Sequence, residues 1–237
     1  MKKLLLVLVA SFGFQTTFAQ GVDNTNYLDA TLGAGNYQGS LSLSYLHRWS
    51  LGKNQRLGIS LGGRLTSYVG QNQYYSTAPA QLTSESSSPL ILFKDNIVAN
   101  MDTLLVKSPQ VNALNLFINF DYSLSSKFQV GFNIDAIGFS FGSRKQANFI
   151  NGNSGKITEA SPSPFNILLI SDNDRGTLNS ELYVKYFFNQ KWGLKAGGQF
   201  LFTEYTSKEK VQTYPEENDR FRNKSLLFCL GVTLKLE

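Results

Sequence analysis

The sequence predicts an all-β protein whose fold is an eight-stranded, antiparallel, up-and-down β-barrel. Three observations predict it: apolar residues recur at every second position, short turns alternate with long loops, and the composition is unusual. Of the 237 residues, 13% are aromatic and 16% are charged, 20 are glycine, and the mean hydropathy is −0.17. This is too aromatic for a disordered chain and too polar on average for a polytopic helical membrane protein.

The N-terminus has the pattern of a secretory signal peptide. Lys2 and Lys3 form a positive start, residues 4–14 are an apolar stretch, and Thr17-Phe18-Ala19 is a small-x-small cleavage site before Gln20. We expect residues 1–19 to be removed and residues 20–237 to form the mature protein.

Charge and cysteine content exclude several classes of function. Without the two leader lysines, 20 basic residues face 17 acidic ones, a net charge of +3. That excess gives no electrostatic reason to expect nucleic acid as a partner. The single Cys229 excludes a disulfide scaffold and a cysteine-based zinc site.

Eight segments of the mature chain alternate apolar and polar residues with a period of two. The two strongest, 114–124 and 226–236, each place six apolar residues at alternate positions. A helix would spread such residues over all its faces, so the period predicts strands. Weaker runs of the same kind begin at Leu28, Leu41, Leu57, Val130, Leu182 and Trp192.

The connections between these strands are of two kinds. Three are tight and polar: 51–55, 125–127 and 189–191. The others are a turn near Gly35-Asn36 and three long segments, 71–110, 143–175 and 206–221. Because the two kinds alternate along the chain, we expect all tight turns and both chain ends on one side of the barrel.

Alternation alone fits either a soluble lipocalin-like barrel or one whose apolar face contacts lipid. Aromatic residues near the tight turns favour lipid, because such residues form girdles at membrane interfaces. The predicted girdle consists of Trp49, Tyr122, Phe128, Phe188 and Trp192.

The opposite face of these strands is polar and carries charges of both signs. Asp29 and Cys229 lie on this polar face. So do six charged residues that we predict to form a network in the lumen: Arg64, Asp121, Asp135, Glu181, Lys185 and Lys195. Eight strands enclose a space that side chains fill, so we interpret the charges as structural ion pairs. A narrow or gated pore is the alternative.

The chain resembles the small outer-membrane β-barrel proteins of Gram-negative bacteria and is similar to the OmpA-like and PorT-like barrel families. The resemblance covers the mature chain and depends on the export junction 17–20, the hairpin 186–194 and the last strand 226–236. It implies a transmembrane barrel in the outer membrane, in contact with its lipid. Such barrels often end on an aromatic residue, whereas this chain ends Leu236-Glu237.

The long loops contain apolar residues that need burial or a partner. The predicted contact surface consists of Tyr74, Tyr75, Leu90, Leu92, Phe93 and Phe165. The runs around these residues form hairpins that cap the mouth, or dock another outer-membrane or extracellular protein or capture an apolar ligand, or span the membrane to give ten strands.

No spacing of residues predicts catalysis. The only histidine, His47, lies near the tight-turn end, away from the long loops. We therefore expect no enzyme, no cofactor and no metal. The predicted function is binding or scaffolding through the extracellular loops; the alternative is a small channel or carrier for an apolar solute.

Overall fold

The computed structural model describes residues 24–85, 95–150, 155–169 and 173–236. The predicted signal peptide and loop residues Leu90, Leu92 and Phe93 lie outside these ranges. Eight long strands are β1 (Asn24–Gly35), β2 (Gln38–Leu51), β3 (Leu57–Gly70), β6 (Gln110–Ser123), β7 (Phe128–Phe141), β11 (Leu178–Phe187), β12 (Trp192–Ser207) and β13 (Arg220–Leu236). Five short ones are β4 (Gln73–Thr77), β5 (Thr103–Val106), β8 (Lys145–Phe149), β9 (Lys156–Pro162) and β10 (Phe165–Ile167).

Helical structure is minor in the described residues. Helix α1 (Ala80–Ser84) and a 3-10 turn (Val98–Asn100) both lie between β4 and β5. No helix in the described ranges is long and apolar enough to cross a membrane.

All strand pairs are antiparallel, and the sheet closes on itself into a ring of twelve strands. The order is β7-β11-β12-β9-β8-β5-β4-β13-β1-β2-β3-β6, with β6 paired back to β7 and β10 attached to β7. The predicted all-β antiparallel fold is therefore confirmed. The strand count differs from the predicted eight: each predicted run is a strand, and five more strands lie within the segments predicted as long loops.

Strands β12 and β13 also pair directly with each other, from Trp192 opposite Leu234 to Thr206 opposite Arg220. This pairing divides the ring of twelve. On one side are the eight long strands; on the other, β12 and β13 continue through β4, β5, β8 and β9.

The long strands have one apolar and one polar face, and the apolar face points outward. Leu32, Leu116, Leu182 and Leu226 are each more than 60% exposed, although they are among the most apolar residues of the chain. Most of the alternate side chains are small, polar or charged, and they are buried. Hydrophobic residues on the outside and charges on the inside are the reverse of a soluble protein.

The wall between β7 and β11 contains an inserted segment. Strands β7 and β11 pair only between the tight-turn end and the position where Ser180 lies opposite Ile134. Beyond that position, toward the long-loop end, β10 pairs with β7 instead. Asn166 of β10 holds the insert in place: its Oδ1 accepts from the Ser140 hydroxyl (2.8 Å) and its Nδ2 donates to Asn115 (2.7 Å). The apolar run around Phe165 is thus partly a strand of the wall.

An apolar core closes the long-loop end of the ring. We call β4, β5, β8 and β9, with the adjoining ends of β12 and β13, the cap. Tyr75 and Tyr205 pack edge to face with ring centroids 5.3 Å apart. The Tyr205 hydroxyl donates to the Gln110 carbonyl (3.0 Å) and accepts from the Gln110 amide (2.9 Å), which joins the cap to β6. The buried core consists of Tyr68, Tyr75, Leu104, Val106, Val111, Ala147, Phe149, Ala160, Leu201, Tyr205, Val211, Phe221 and Leu227.

Candidate functional site: the lumen and the cap surface

The interior of the long strands contains a chain of alternating charges. Arg64 pairs with Asp135 (2.8 Å) and with Glu181 (3.3 Å). Glu181 also accepts from Lys195, whose ammonium lies 3.7 Å from Asp29. Asp29 in turn pairs with Lys185 (2.9 Å). Five of the six predicted lumen residues therefore join Asp29 in one continuous series of ion pairs.

The sixth predicted residue, Asp121, has a separate partner. Arg48 donates to it at 2.8 Å, and Gln129 Nε2 and Asn119 Nδ2 donate at 2.7 and 3.1 Å. The Tyr183 hydroxyl donates to Asn119 Oδ1 (2.6 Å), which connects this pair to the aromatic rings of the lumen. Arg48 lies at an inward-facing position of the alternation in β2, so the period of two could have placed it in the lumen.

The rings of Phe117 and Tyr183 lie inside the lumen among these charges. The Arg64 guanidinium lies 4.6 Å from the centroid of the Phe117 ring, and the Lys195 ammonium lies 4.9 Å from that of Tyr183. Both rings fit because a glycine lies opposite: a Cβ on Gly62 would be 2.6 Å from the Phe117 ring, and one on Gly131 would collide with the Tyr183 hydroxyl. Sequence reasoning missed both rings, although each has inward parity.

The lumen charges balance. Four acids and four bases line the interior of the long strands below the cap, and all eight are less than 10% exposed: Asp29, Asp121, Asp135, Glu181, Arg48, Arg64, Lys185 and Lys195. A buried charge without a counterion is very costly, whereas paired and hydrogen-bonded charges are tolerated. Equal numbers give no sign preference that would attract one kind of ion.

Some buried polar atoms next to these pairs have no hydrogen-bond partner among the residues that the structure describes. Both side-chain amide atoms of Asn179, Oε1 of Glu181 and Nε2 of Gln199 are in this group. Because buried polar groups are normally satisfied, these atoms are the positions in the lumen where an ordered water is expected.

The predicted girdle residues lie on the outward face at the tight-turn end. Tyr122, Phe128, Phe188 and Trp192 are between 41% and 54% exposed. Trp49 is half-buried and packs edge to face against His47 at 4.7 Å. The Nδ1 atom of His47 lies 2.7 Å from Asn26 Oδ1, so the only histidine belongs to this outer rim.

The cap has a continuous outer row of side chains. Strand register aligns Tyr74, Leu105, Asn148 and Ile157 across four neighbouring strands. Tyr74 is 61% and Ile157 62% exposed, so apolar surface remains at both ends of this row. We call these four residues the cap row.

The predicted contact surface is divided by the structure. Tyr74 is exposed, but its neighbour Tyr75 points into the cap core and has no exposed surface, because successive side chains of a strand face opposite ways. Burial raises the pKa of the Tyr75 phenol well above its usual value. Phe165 lies on β10, packs against Phe139 at 6.0 Å and is separate from the cap row.

No family model matches the chain, and no curated protein matches it in sequence. Solved structures of small outer-membrane β-barrels match over about nine-tenths of it. Neisserial surface protein A has 10% identity and a TM-score of 0.38, covering 92% of this chain and 100% of its own. The N-terminal β-barrel domain of Pseudomonas aeruginosa OprF has 9% and 0.37, covering 91% and 100%.

The outer membrane protein Ail of Yersinia pestis has 8% identity and a TM-score of 0.37, covering 90% of this chain and 100% of its own. Identities this low leave the function to be inferred from the geometry of the chain itself.

Proposed function

We propose that this chain is an outer-membrane β-barrel protein whose eight long strands span the bilayer. The observation that carries the proposal is the outward apolar face of those strands. A soluble protein rarely exposes large contiguous apolar patches, whereas lipid requires them. The shortest long strand, β11, has 10 residues and the longest, β13, has 17, and about 9–11 residues suffice to cross a bilayer.

The signal-peptide pattern at residues 1–19 supports export, and the girdle near the tight turns supports their placement at one membrane interface. In this orientation the tight turns face the periplasm and the cap lies outside the cell. The lumen network then holds the barrel together from within and takes no part in conduction.

We further propose that the protein acts by binding or scaffolding through its extracellular segments, without enzymatic activity. The cap core and the charge-balanced lumen support this, because buried side chains of the described residues, apolar in the cap and charged in the lumen, occupy the interior of the barrel. The cap row supplies exposed apolar surface on a rigid sheet, the kind of surface on which protein interfaces are built.

A small channel or carrier for an apolar solute is the second candidate. The apolar core of the cap, with Tyr75, Phe149 and Phe221, favours it, because an apolar solute that entered through an opened cap would pass these buried rings. Transport would then require the cap and the lumen ion pairs to open together.

One set of experiments distinguishes the two candidate functions. The wild type and Tyr74→Ser/Ile157→Ser are cross-linked in native outer membranes and purified under identical conditions. We expect one defined partner to be lost from the variant and retained by Val98→Ser/Tyr214→Ser, which removes exposed apolar groups away from the cap row. Stable single-channel conductance in planar bilayers would instead support the channel.

A further inference from the structure

The wall of the barrel changes its construction where β7, β10 and β11 meet. Strand β7 has one extra residue there, because Ala136 forms a β-bulge opposite the step from Leu116 to Phe117. On the long-loop side of this bulge, β10 replaces β11 as the neighbour of β7. Residues 175–179, at the start of β11, contact both β10 and the bulged part of β7, and we call this contact the seam.

Side chains provide much of the hydrogen bonding across the seam. The backbone N–H of Thr177 donates to Asn166 Oδ1 at 2.8 Å. The backbone N–H of Asn179 donates to Asp135 Oδ2 at 3.0 Å. A side chain releases such a bond by rotating about its own torsions, whereas a ladder of backbone bonds separates as a unit. The seam therefore opens with less rearrangement than the neighbouring stretch of β7 and β11, where seven residue pairs are in register.

Buried polar atoms without partners line the inner side of the seam. Thr177, Asn179 and Glu181 are successive inward-facing residues and are at most 2% exposed. Within the described part of the chain, Thr177 Oγ1, Glu181 Oε1 and both amide atoms of Asn179 have no hydrogen-bond partner. The same is true of Nε2 of Gln199, which lies opposite Glu181 on β12. Donors and acceptors that need a partner therefore meet in one layer of the lumen.

The outer side of the seam is apolar. Phe165 of β10 packs against Phe139 of β7, and Ile137 lies opposite Ile167 beside them. Phe139 and Phe141 are 64% and 55% exposed, so the apolar outer face of the wall continues past the seam toward the long-loop end. In a barrel that spans the bilayer, such a surface faces hydrocarbon.

The two sides of the seam together indicate the chemistry of a ligand. A hydroxyl or a primary amide both donates and accepts, so it matches the unpartnered atoms of the inner side and replaces the water expected there. A charged group would bring an uncompensated charge into a layer where Arg64 is already paired with Asp135 and Glu181. An alkyl chain suits the rings of Phe139 and Phe165 on the outer side.

We propose that the seam binds a single-chain amphiphile with a neutral, hydrogen-bonding head group. The head passes between β10 and the start of β11 and bonds to Thr177 and Asn179, while the chain remains outside along Phe139 and Phe165. This site rests on the proposed function, because it requires the long strands to lie in a bilayer. It is separate from the cap row and uses none of its residues.

The test uses oleamide with a photoreactive diazirine beside the amide, added to the full protein in phospholipid vesicles. Mass spectrometry locates the adducts, which we expect on residues 177–181. Asn179→Leu removes two head-group contacts and no bond within the described protein, so it should keep heat-modifiable mobility and reduce the adduct yield about tenfold. The matched control Asn148→Leu makes the same change in the cap row and should be labelled like the wild type.

A reversible cross-link tests whether the seam has to open. Ile167 and Arg175 exchange backbone hydrogen bonds of 2.9 and 3.0 Å, so their Cα atoms are at a separation that a disulfide spans. In a Cys229→Ala background, the oxidised Ile167→Cys/Arg175→Cys variant should lose the adducts and regain them on reduction. Phe132→Cys/Leu182→Cys links β7 and β11 where they are already paired, so it should be labelled equally in both states.

Two results would overturn the proposed site in a protein that has inserted into the vesicles. One is an adduct yield on residues 177–181 that is absent, or that is the same with the disulfide at the seam oxidised and reduced. The other is competition by oleyl sulfate as effective as competition by oleyl alcohol, which would show that the head need not be neutral. Failure of the wild type to insert would contradict the proposed function itself, so the two failures are distinguishable.

Discussion

Arg64 and Asp135 form an ion pair of 2.8 Å in which neither side chain has any exposed surface. Asp135 also accepts from Asn115 Nδ2 at 2.7 Å, and the backbone N–H of Asn179 donates to it at 3.0 Å. The pair therefore joins β3, β6, β7 and β11 from inside the ring.

Substitution Arg64→Met leaves the Asp135 carboxylate buried without its counterion. We expect the free energy of unfolding to fall by about 3–5 kcal/mol, as found when one partner of a buried pair is removed. Urea unfolding in detergent, followed by the heat-modifiable shift in gel mobility, measures it. In Arg64→Met/Asp135→Asn the uncompensated charge is gone, so the loss should be smaller; an equal or larger loss would contradict the ion-pair interpretation.

The Tyr183 side chain occupies the space in which a side chain at position 131 would lie, so this position has to be glycine. A Cβ at this position collides with the Tyr183 hydroxyl, so Gly131→Ala should displace the ring from Asn119 and cost about 1–3 kcal/mol. Gly63→Ala is the matched control, because a Cβ there meets no atom within 4 Å. The same unfolding assay compares them, and equal stability of the two variants would show that the lumen repacks freely around Tyr183.

Leu182 tests which face contacts lipid. It is 68% exposed and in the middle of β11, so Leu182→Arg would place a charge in the proposed hydrocarbon region. A charge there costs about 2–4 kcal/mol near the bilayer midplane. Tyr74→Arg, at a comparably exposed site on the cap, should cost little. Folding yields into lipid vesicles measure the difference, and similar yields would argue against a lipid-facing sheet.

The cap should lose stability at alkaline pH. Tyrosine in an unfolded chain titrates near pH 10, whereas burial raises the pKa of Tyr75 well above its usual value. The unfolded cap therefore releases this proton first, and the contribution of Tyr75 to stability, complete below about pH 10, declines as the pH rises above it. Limited proteolysis at about pH 8 and about pH 11 measures the change. Tyr75→Phe should reduce the pH dependence; an unchanged dependence would contradict this assignment.

The period of two predicts the long strands well, because each buries only one face and its polar face has a distinct composition. Parity also places residues such as Arg64 and Glu181 on one face. It does not give their partners: Arg48 and Asp121 are 73 residues apart, and only the register around the ring brings them together.

The short strands of the cap escape the same reasoning for a physical reason. Strand β5 has four residues, and its pairing with β4 and β8, rather than any local pattern, determines its conformation. Within the run 226–236, Leu227 is apolar although the other residues of its parity are small or polar. The structure explains it, since Leu227 is part of the apolar cap core.

The paired strands β12 and β13 belong both to the eight long strands and to the cap, and this affects the order in which the molecule assembles. The cap cannot close before β13 is in place, because β4 needs that strand as its neighbour. β13 also pairs with β1, where Asn26 lies opposite Leu236 near the two ends of the described chain. The cap row, on which a partner would dock, is therefore complete only after β13 has paired. A chain that is truncated before β13, or only partly assembled, does not present this docking surface.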